Sequence, residues 1–216
     1  MLFRSILSFY YPGTTLGLTA QGLPWNSLGG ERVEVLTTRP QHDGELVGLA
    51  ERLIRELEQA TAWQFRVRPQ IRVYPTVAVF RDATGKPGWV AASTRGRVIR
   101  MQPVAALRAA GRLEETLRHE LLHLLIESRA HRSLPLWFRE GVVLVLSREQ
   151  AAPAGAAISD PATLDRMLLE ARTQEEMRRA YRAAQAQVEA LIVRYGREAV
   201  LGWVERGLPP ELIRSR

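Results

Sequence analysis

The chain has 216 residues, 46% of them hydrophobic, and a formal net charge of +7 at pH 7. This length allows one domain with a full core, and the absence of cysteine excludes both a disulfide framework and a thiolate metal site. Nearly all the positive charge is arginine, because Lys86 is the only lysine. We find no basic stripe interleaved with aromatics and no nucleic-acid-binding fingerprint, and so predict no nucleic-acid partner. The charge fits either an arginine-biased composition or a surface for a polyanion such as an anionic cell-wall polymer.

Residues 1–30 differ from the rest of the chain and are predicted to be an arm. They contain an apolar and aromatic run, Ile6-Leu7-Ser8-Phe9-Tyr10-Tyr11-Pro12-Gly13-Thr14, which is too short for a signal peptide. No stretch of the chain approaches the length of a membrane span. The run resembles the end of the stage II sporulation protein D family of peptidoglycan lytic transglycosylases. That resemblance implies a remnant of a preceding domain in an extracytoplasmic cell-wall protein. The residues fit equally well an N-terminal strand or arm packed on the domain at 31–216.

Residues 31–101 have the patterns of a mixed α and β region. Alternation predicts a strand over 32–38, and Asp43 is expected to cap a helix with a buried leucine stripe. Residues 71–81 are β-branched and apolar and predict a strand that Pro75 breaks or confines to a sheet edge. A hairpin is predicted from 89–92 and 98–101, joined through Arg95-Gly96. An exposed sheet edge in this region could bind an extended peptide by strand addition.

The stretch Arg118-His119-Glu120-Leu121-Leu122-His123 contains an H-E-x-x-H motif within an apolar helical pattern. Residues four apart on an α-helix lie on the same face, so His119 and His123 can direct two imidazole nitrogens at one point. Glu120 can reach a water held at that point. Two neutral imidazoles, an open coordination position and a carboxylate base are what a zinc-dependent hydrolase needs. The competing interpretation is an amphipathic helix whose wet face happens to carry these residues.

A third ligand is required, because two histidines alone rarely hold zinc. Glu140 is the candidate, in the stretch Leu134-Pro135-Leu136-Trp137-Phe138-Arg139-Glu140-Gly141. Pro135 suits the first turn of a helix, and the residues after Gly141 are apolar enough to predict a buried segment. A charged Glu140 entering that segment is costly unless it is paired or bound to a metal.

The two motifs together, R-H-E-x-x-H followed by L-P-x-W-x-x-E-G, resemble the gluzincin zinc metallopeptidases, specifically bacterial peptidase MA-like domains. The resemblance implies a zincin-like α+β fold, with a small mixed sheet and the active-site helix in the N-terminal half and an all-helical C-terminal half. It implies Zn²⁺ bound by His119, His123 and Glu140, with Glu120 as general base and acid. The chain departs from such domains after Glu140-Gly141, where it continues with aliphatic residues instead of a small residue and an aromatic.

After Glu140 the sequence predicts a loop at 147–160, a helix from Pro161, a long helix over 175–195 that Gly196 ends, and a last helix before a stop at Pro209-Pro210. Tyr181 lies on the stripe of the long helix. The resemblance implies that it stabilises the oxyanion, whereas its stripe position fits a core tyrosine. His131 is interpreted as a solvated loop residue, and Trp89 and Trp137 as core anchors.

The leading functional prediction is a zinc metallopeptidase acting on a peptide or protein substrate. The first alternative is a catalytically silent domain of the same fold, which would serve as a binding or scaffold module of a cell-wall protein. The second alternative is a helical nucleic-acid-binding protein that uses the arginines, for which salt-dependent DNA binding would be the evidence.

Overall fold

A computed structural model of the chain describes residues 22–147 and 160–213. The chain divides into two compact units between Leu125 and Ile126. The first unit contains a five-stranded mixed sheet with helices, and the second contains helices in its described part. The predicted α+β class is therefore confirmed at this level. No helix in the described part of the chain is long and apolar enough to cross a membrane.

The sheet of the first unit has the strand order β1-β2-β3-β5-β4. Its strands are β1 (Asn26–Gly29), β2 (Glu34–Thr37), β3 (Gln70–Val73), β4 (Ala92–Arg95) and β5 (Val98–Met101). Strands β2, β3 and β5 run parallel, while β1 and β4 pair antiparallel at the two edges. Strand β1 falls within the predicted arm, so the last residues of that arm are part of the sheet. The predicted hairpin is present, but its first strand begins at Ala92 instead of residue 89.

One face of the sheet is apolar. Strand residues alternate between two faces, and the three parallel strands contribute five fully buried apolar residues to this one. They are Val35, Ile71, Val73, Ile99 and Met101, none of them more than 2% exposed. The residues between them face the opposite side of the sheet.

The helices of the first unit are α1 (Pro40–Asp43), α2 (Glu45–Thr61), α3 (Val77–Thr84), α4 (Val104–Ala109) and α5 (Leu113–Glu127), of which α5 continues two residues beyond the unit boundary. The predicted cap of α2 is wrong. Asp43 is 5% exposed and accepts a hydrogen bond from the Thr37 hydroxyl, whereas Gly44 precedes α2 without a side-chain cap. The side chain therefore satisfies a buried hydroxyl instead of the helix amides.

The strand predicted over 71–81 is correct only as far as Val73. After Pro75 the chain forms α3, although Val77 and Val79 in its first turn are β-branched. Thr76 caps this helix by accepting a hydrogen bond from the Val79 amide, and Gly85 ends it in the left-handed conformation. These two caps satisfy backbone groups that a continued strand would leave to other partners, and they outweigh the weak β preference of the residues between them.

The second unit contains α6 (Leu136–Ser147), α7 (Pro161–Glu170), α8 (Gln174–Tyr195), α9 (Arg197–Arg206) and α10 (Pro210–Ile213). Helix α6 packs along α8 and also contacts α7, and α9 contacts α8. Helix α9 ends at Arg206, before Pro209-Pro210, as predicted. It is not the last helix, because α10 begins at Pro210, where a proline fits the first turn of a helix. Most of the loop predicted at 147–160 lies outside the described residues.

Candidate metal centre

Helix α5 places three ionisable side chains inside the protein. Its first turn contains Glu114 and Glu115, whose negative charges interact favourably with the positive end of the helix dipole. The leucines at 117, 121, 122 and 125 have no exposed surface, so the helix is covered on most of its circumference. His119, Glu120 and His123 are nonetheless only 9%, 4% and 4% exposed. Groups of this kind are expensive to bury unless hydrogen bonds, ion pairs or a metal compensate them.

The two histidines of α5 converge, as their spacing predicts. Their rings lie 4.8 Å apart between centroids, and the two Nε2 atoms are 3.0 Å apart. Zinc binds imidazole nitrogen at about 2.0–2.1 Å, so two nitrogens of a tetrahedral site are about 3.3 Å apart. The observed separation is close to that value. The pair could therefore accept a metal with little movement of either ring.

Glu120 is hydrogen-bonded to a residue of the sheet that the sequence analysis did not identify. The hydroxyl of Thr94 on β4 donates a 2.6 Å hydrogen bond to Glu120 Oε2, and Thr94 has no exposed surface. Thr94 is the register partner of Ile99 on β5, which places its side chain on the apolar face of the sheet. A hydrogen bond to a carboxylate in such surroundings restricts the rotamer of that carboxylate.

Glu140 lies on α6 and is 1% exposed. The next residue, Gly141, lies in a close contact between α6 and α8, since a Cβ atom there would be 2.4 Å from the Ala184 carbonyl oxygen and 2.5 Å from Val188 Cγ2. Only glycine fits at that distance. The glycine that follows Glu140 in the sequence therefore fixes the position of α6 on α8, and with it the depth at which Glu140 is buried.

A side chain of α7 caps the start of α6. Asp165 accepts a 2.7 Å hydrogen bond from the Trp137 amide and a further backbone hydrogen bond from Leu136. Burial raises the pKa of Asp165, against the opposing effects of these two amides and of Arg139. This cap comes from residues distant in sequence, so local patterns around α6 could not reveal it. Trp137 is 1% exposed, in agreement with its prediction as a core anchor.

The predicted ligands form one group. His119, His123 and Glu140 each offer one ligand atom, and these atoms lie within 4.8 Å of one another. Two imidazole nitrogens and one carboxylate oxygen are the donor set of many catalytic zinc sites, which leave a further position open. The residues present therefore fit zinc in donor type and in the spacing of the histidine pair.

Three other residues were singled out from the sequence, namely Tyr181, His131 and Trp89. Tyr181 is half-buried on α8, where the neighbouring stripe residues Ala184 and Val188 are fully buried. Its proposed role in stabilising an oxyanion stays a prediction. His131 is exposed in the loop before α6, with Nδ1 2.8 Å from the Ser133 hydroxyl. Trp89 is half-buried and packs against the cluster of Tyr74, Phe80 and Val90.

Comparison of the sequence with models of known protein families gave no match, and comparison with curated proteins gave none either. The functional argument therefore depends on the residues of this chain and their geometry.

Proposed function

We propose that the chain is a zinc-dependent metallopeptidase of the gluzincin type, with His119, His123 and Glu140 as zinc ligands. The observation that carries the proposal is the 3.0 Å separation of the two Nε2 atoms on a helix that also buries Glu120. A bound zinc ion would supply Lewis acidity, which polarises a carbonyl group and lowers the pKa of a water. The resemblance to peptidase MA-like domains points to the same assignment.

Glu120 is the proposed general base and acid. It follows His119 directly, so its side chain leaves the helix about 100° from that ligand and can reach a water beside the histidine pair. The carboxylate would remove a proton from the attacking water and deliver it to the leaving amine. Thr94 would keep the carboxylate in one rotamer by donating a hydrogen bond to Oε2.

Substitution of Glu120 by Gln separates an enzyme from a silent domain. The amide is nearly isosteric with the carboxylate and can still accept from Thr94, but it cannot take up a proton at neutral pH. We expect normal zinc retention and a loss of peptide hydrolysis of about 10²–10⁴-fold, the usual contribution of general acid and base assistance. The measurement is hydrolysis of a broad peptide library by the zinc-loaded parent and variant.

Equal hydrolysis rates would show that a contaminating protease is responsible. Absence of hydrolysis by a zinc-loaded parent, on the library and on cell-wall peptides, would favour the alternative of a binding or scaffold module. Zinc analysis of both proteins is the control, because a variant that had lost its metal would not report on the base.

A further inference from the structure

An open cavity of about 270 Å³ lies in the first unit, at the carboxyl ends of its three parallel strands. Thr37 and Val73, the last residues of β2 and β3, line this cavity, and so does Pro103, two residues after the end of β5. In open α/β sheets, ligands bind outside the carboxyl ends of the strands, where the loops that follow neighbouring strands come together. The cavity shares no residue with the candidate metal centre.

Asp43 supplies a carboxylate to the buried part of the cavity, where it is 5% exposed. The Thr37 hydroxyl donates a hydrogen bond to its Oδ2. Within the part of the chain that the structure describes, Oδ1 accepts no hydrogen bond from a side chain and the carboxylate has no ion pair. A buried carboxylate without a cationic partner costs free energy. A cationic group of a ligand would offset that cost.

The rest of the buried lining favours an organic cation over a metal ion. Ca²⁺ takes about six to eight oxygen ligands, usually with several carboxylates among them, whereas Asp43 is the one carboxylate among the described residues of the lining. Val73 and Val104 also line the cavity, and they are 2% and 1% exposed. Their aliphatic surfaces suit methylene groups. An ammonium group on an aliphatic stem therefore fits this part of the cavity better than a bare ion.

The rim of the cavity carries groups of the opposite charge. Arg39, His42 and Arg108 line the cavity and are exposed. Arg108 forms an ion pair with Glu45, whereas Arg39 has no ion pair with any described residue. Guanidinium groups match carboxylates in geometry and bind them through paired hydrogen bonds. Arg39 is therefore the group available to an anion at the rim.

We propose that this cavity binds a small aliphatic amino acid, whose ammonium group pairs with Asp43 and whose carboxylate contacts Arg39. Methylene groups between the two charges would lie against Val73 and Val104. Cavities for drug-sized ligands have volumes of about 300–1,000 Å³, so a cavity of about 270 Å³ suits a ligand smaller than these. The proposal is independent of the proposed peptidase activity, because neither zinc nor its proposed ligands take part in it.

The test is isothermal titration calorimetry of the full chain with δ-aminovalerate. Pentylamine and valerate are the matched probes, because each has a similar aliphatic stem and only one of the two charges. We expect δ-aminovalerate to bind about tenfold more tightly than either probe, since only the amino acid can form both charge-assisted contacts. It should also raise the melting temperature of the parent, because a ligand that binds the folded state stabilises it.

Substitutions separate the two contacts. Asp43→Asn keeps an oxygen acceptor for the Thr37 hydroxyl but loses the charge, and should lower the affinity for δ-aminovalerate by about 10- to 100-fold. Arg39→Gln should lower it by about threefold to tenfold, because the rim is exposed and screened by solvent. Arg39→Lys should retain part of that affinity, since it keeps the charge.

Arg55→Gln is the matched control for Arg39→Gln, because Arg55 is an exposed arginine on α2 and the change in net charge is the same. It should leave the affinity within about twofold of the parent, since screening reduces distant charge effects. Circular dichroism is the control for folding. Without ligand, the melting temperature of Asp43→Asn should equal or exceed that of the parent, because a buried unpaired charge is removed.

Equal affinities for δ-aminovalerate and pentylamine would overturn the proposal in favour of a simple cation site, and equal affinities for δ-aminovalerate and valerate would overturn it in favour of an anion site. Absence of binding at millimolar concentrations, or parental affinity in folded Asp43→Asn, would also overturn it. Binding of δ-aminovalerate that depends on Asp43 and Arg39, in a chain that neither retains zinc nor hydrolyses peptides, would support the cavity site and reject the peptidase. Zinc-dependent hydrolysis by a chain that binds none of the three probes would do the reverse.

Discussion

Helices α5 and α6 carry the proposed ligands, and they fix them in different ways. In α5 the two histidines are four residues apart, so helical geometry alone brings their Nε2 atoms to 3.0 Å. In α6 the position of Glu140 depends on a close contact of Gly141 with α8 and on a cap from Asp165 in α7. Two of the three ligands are thus positioned by local helical geometry, and the third depends on tertiary packing.

This difference explains what the sequence could predict. The helical period of apolar residues predicted α5 and the histidine pair, and the apolar run after Gly141 predicted α6 and the burial of Glu140. Thr94 was missed because its contact with Glu120 joins residues on a strand and a helix, and an isolated threonine in a strand has no signal of its own. Asp165 was missed for the same reason.

The errors in the fold have related causes. The apolar residues 77–80 have the composition of a strand, but the capping residues Thr76 and Gly85 favour a helix there. Asp43 has the residue type of a helix cap, yet its carboxylate accepts a hydrogen bond from the buried Thr37 hydroxyl instead. In both cases specific hydrogen bonds outweighed a residue preference that contributes only fractions of a kcal/mol.

The largest effect is expected from Gly141→Ala, which disrupts the packing of α6 on α8. The new Cβ would overlap a backbone carbonyl of α8, so the free energy of unfolding should fall by about 3 kcal/mol. Urea denaturation measures it. Gly48→Ala in α2 is the control, because a Cβ there has no atom within 4 Å, and it should increase stability by about 0.5–1 kcal/mol. Equal changes in the free energy of unfolding for the two variants would show that the contact at Gly141 leaves room for a Cβ atom.

Thr94→Val should lower kcat by roughly 10- to 100-fold with little change in KM, because a hydrogen bond to a charged group contributes about 1.5–3 kcal/mol. Thr94→Ser keeps the hydroxyl and should remain near the parent. Steady-state kinetics with zinc content held equal separates positioning of Glu120 from loss of metal. If valine were tolerated as well as serine, Thr94 would have no role in orienting the carboxylate.

Asp165→Ala removes the cap of α6 and should cost about 1 kcal/mol in the free energy of unfolding, which is typical for a lost N-terminal cap. Zinc retention should weaken in parallel if α6 positions Glu140. Asp165→Asn keeps a side-chain oxygen acceptor and should retain most of the stability. A variant with unchanged stability and zinc affinity would contradict the role assigned to this cap.

The smallest effect concerns pH. Burial raises the pKa of Asp165 in the folded protein, so the folded chain binds this proton more tightly than the unfolded chain. The stabilising contribution is therefore present below the unfolded pKa of about 3.9 and is lost as the pH rises through the folded value. Asp165→Asn should show a flatter dependence of unfolding free energy on pH above about 4. An identical pH dependence of the unfolding free energy in parent and variant would show that Asp165 does not contribute to it.

The central claim is that His119, His123 and Glu140 hold one zinc ion, and metal analysis tests it most directly. The parent, His123→Ala and Glu140→Gln would be loaded with zinc, dialysed against a weak chelator and analysed, with circular dichroism as the control for folding. The account predicts about one zinc per chain in the parent, almost none in His123→Ala and a reduced content in Glu140→Gln. Zinc-free parent protein, or full zinc content in folded His123→Ala, would contradict it.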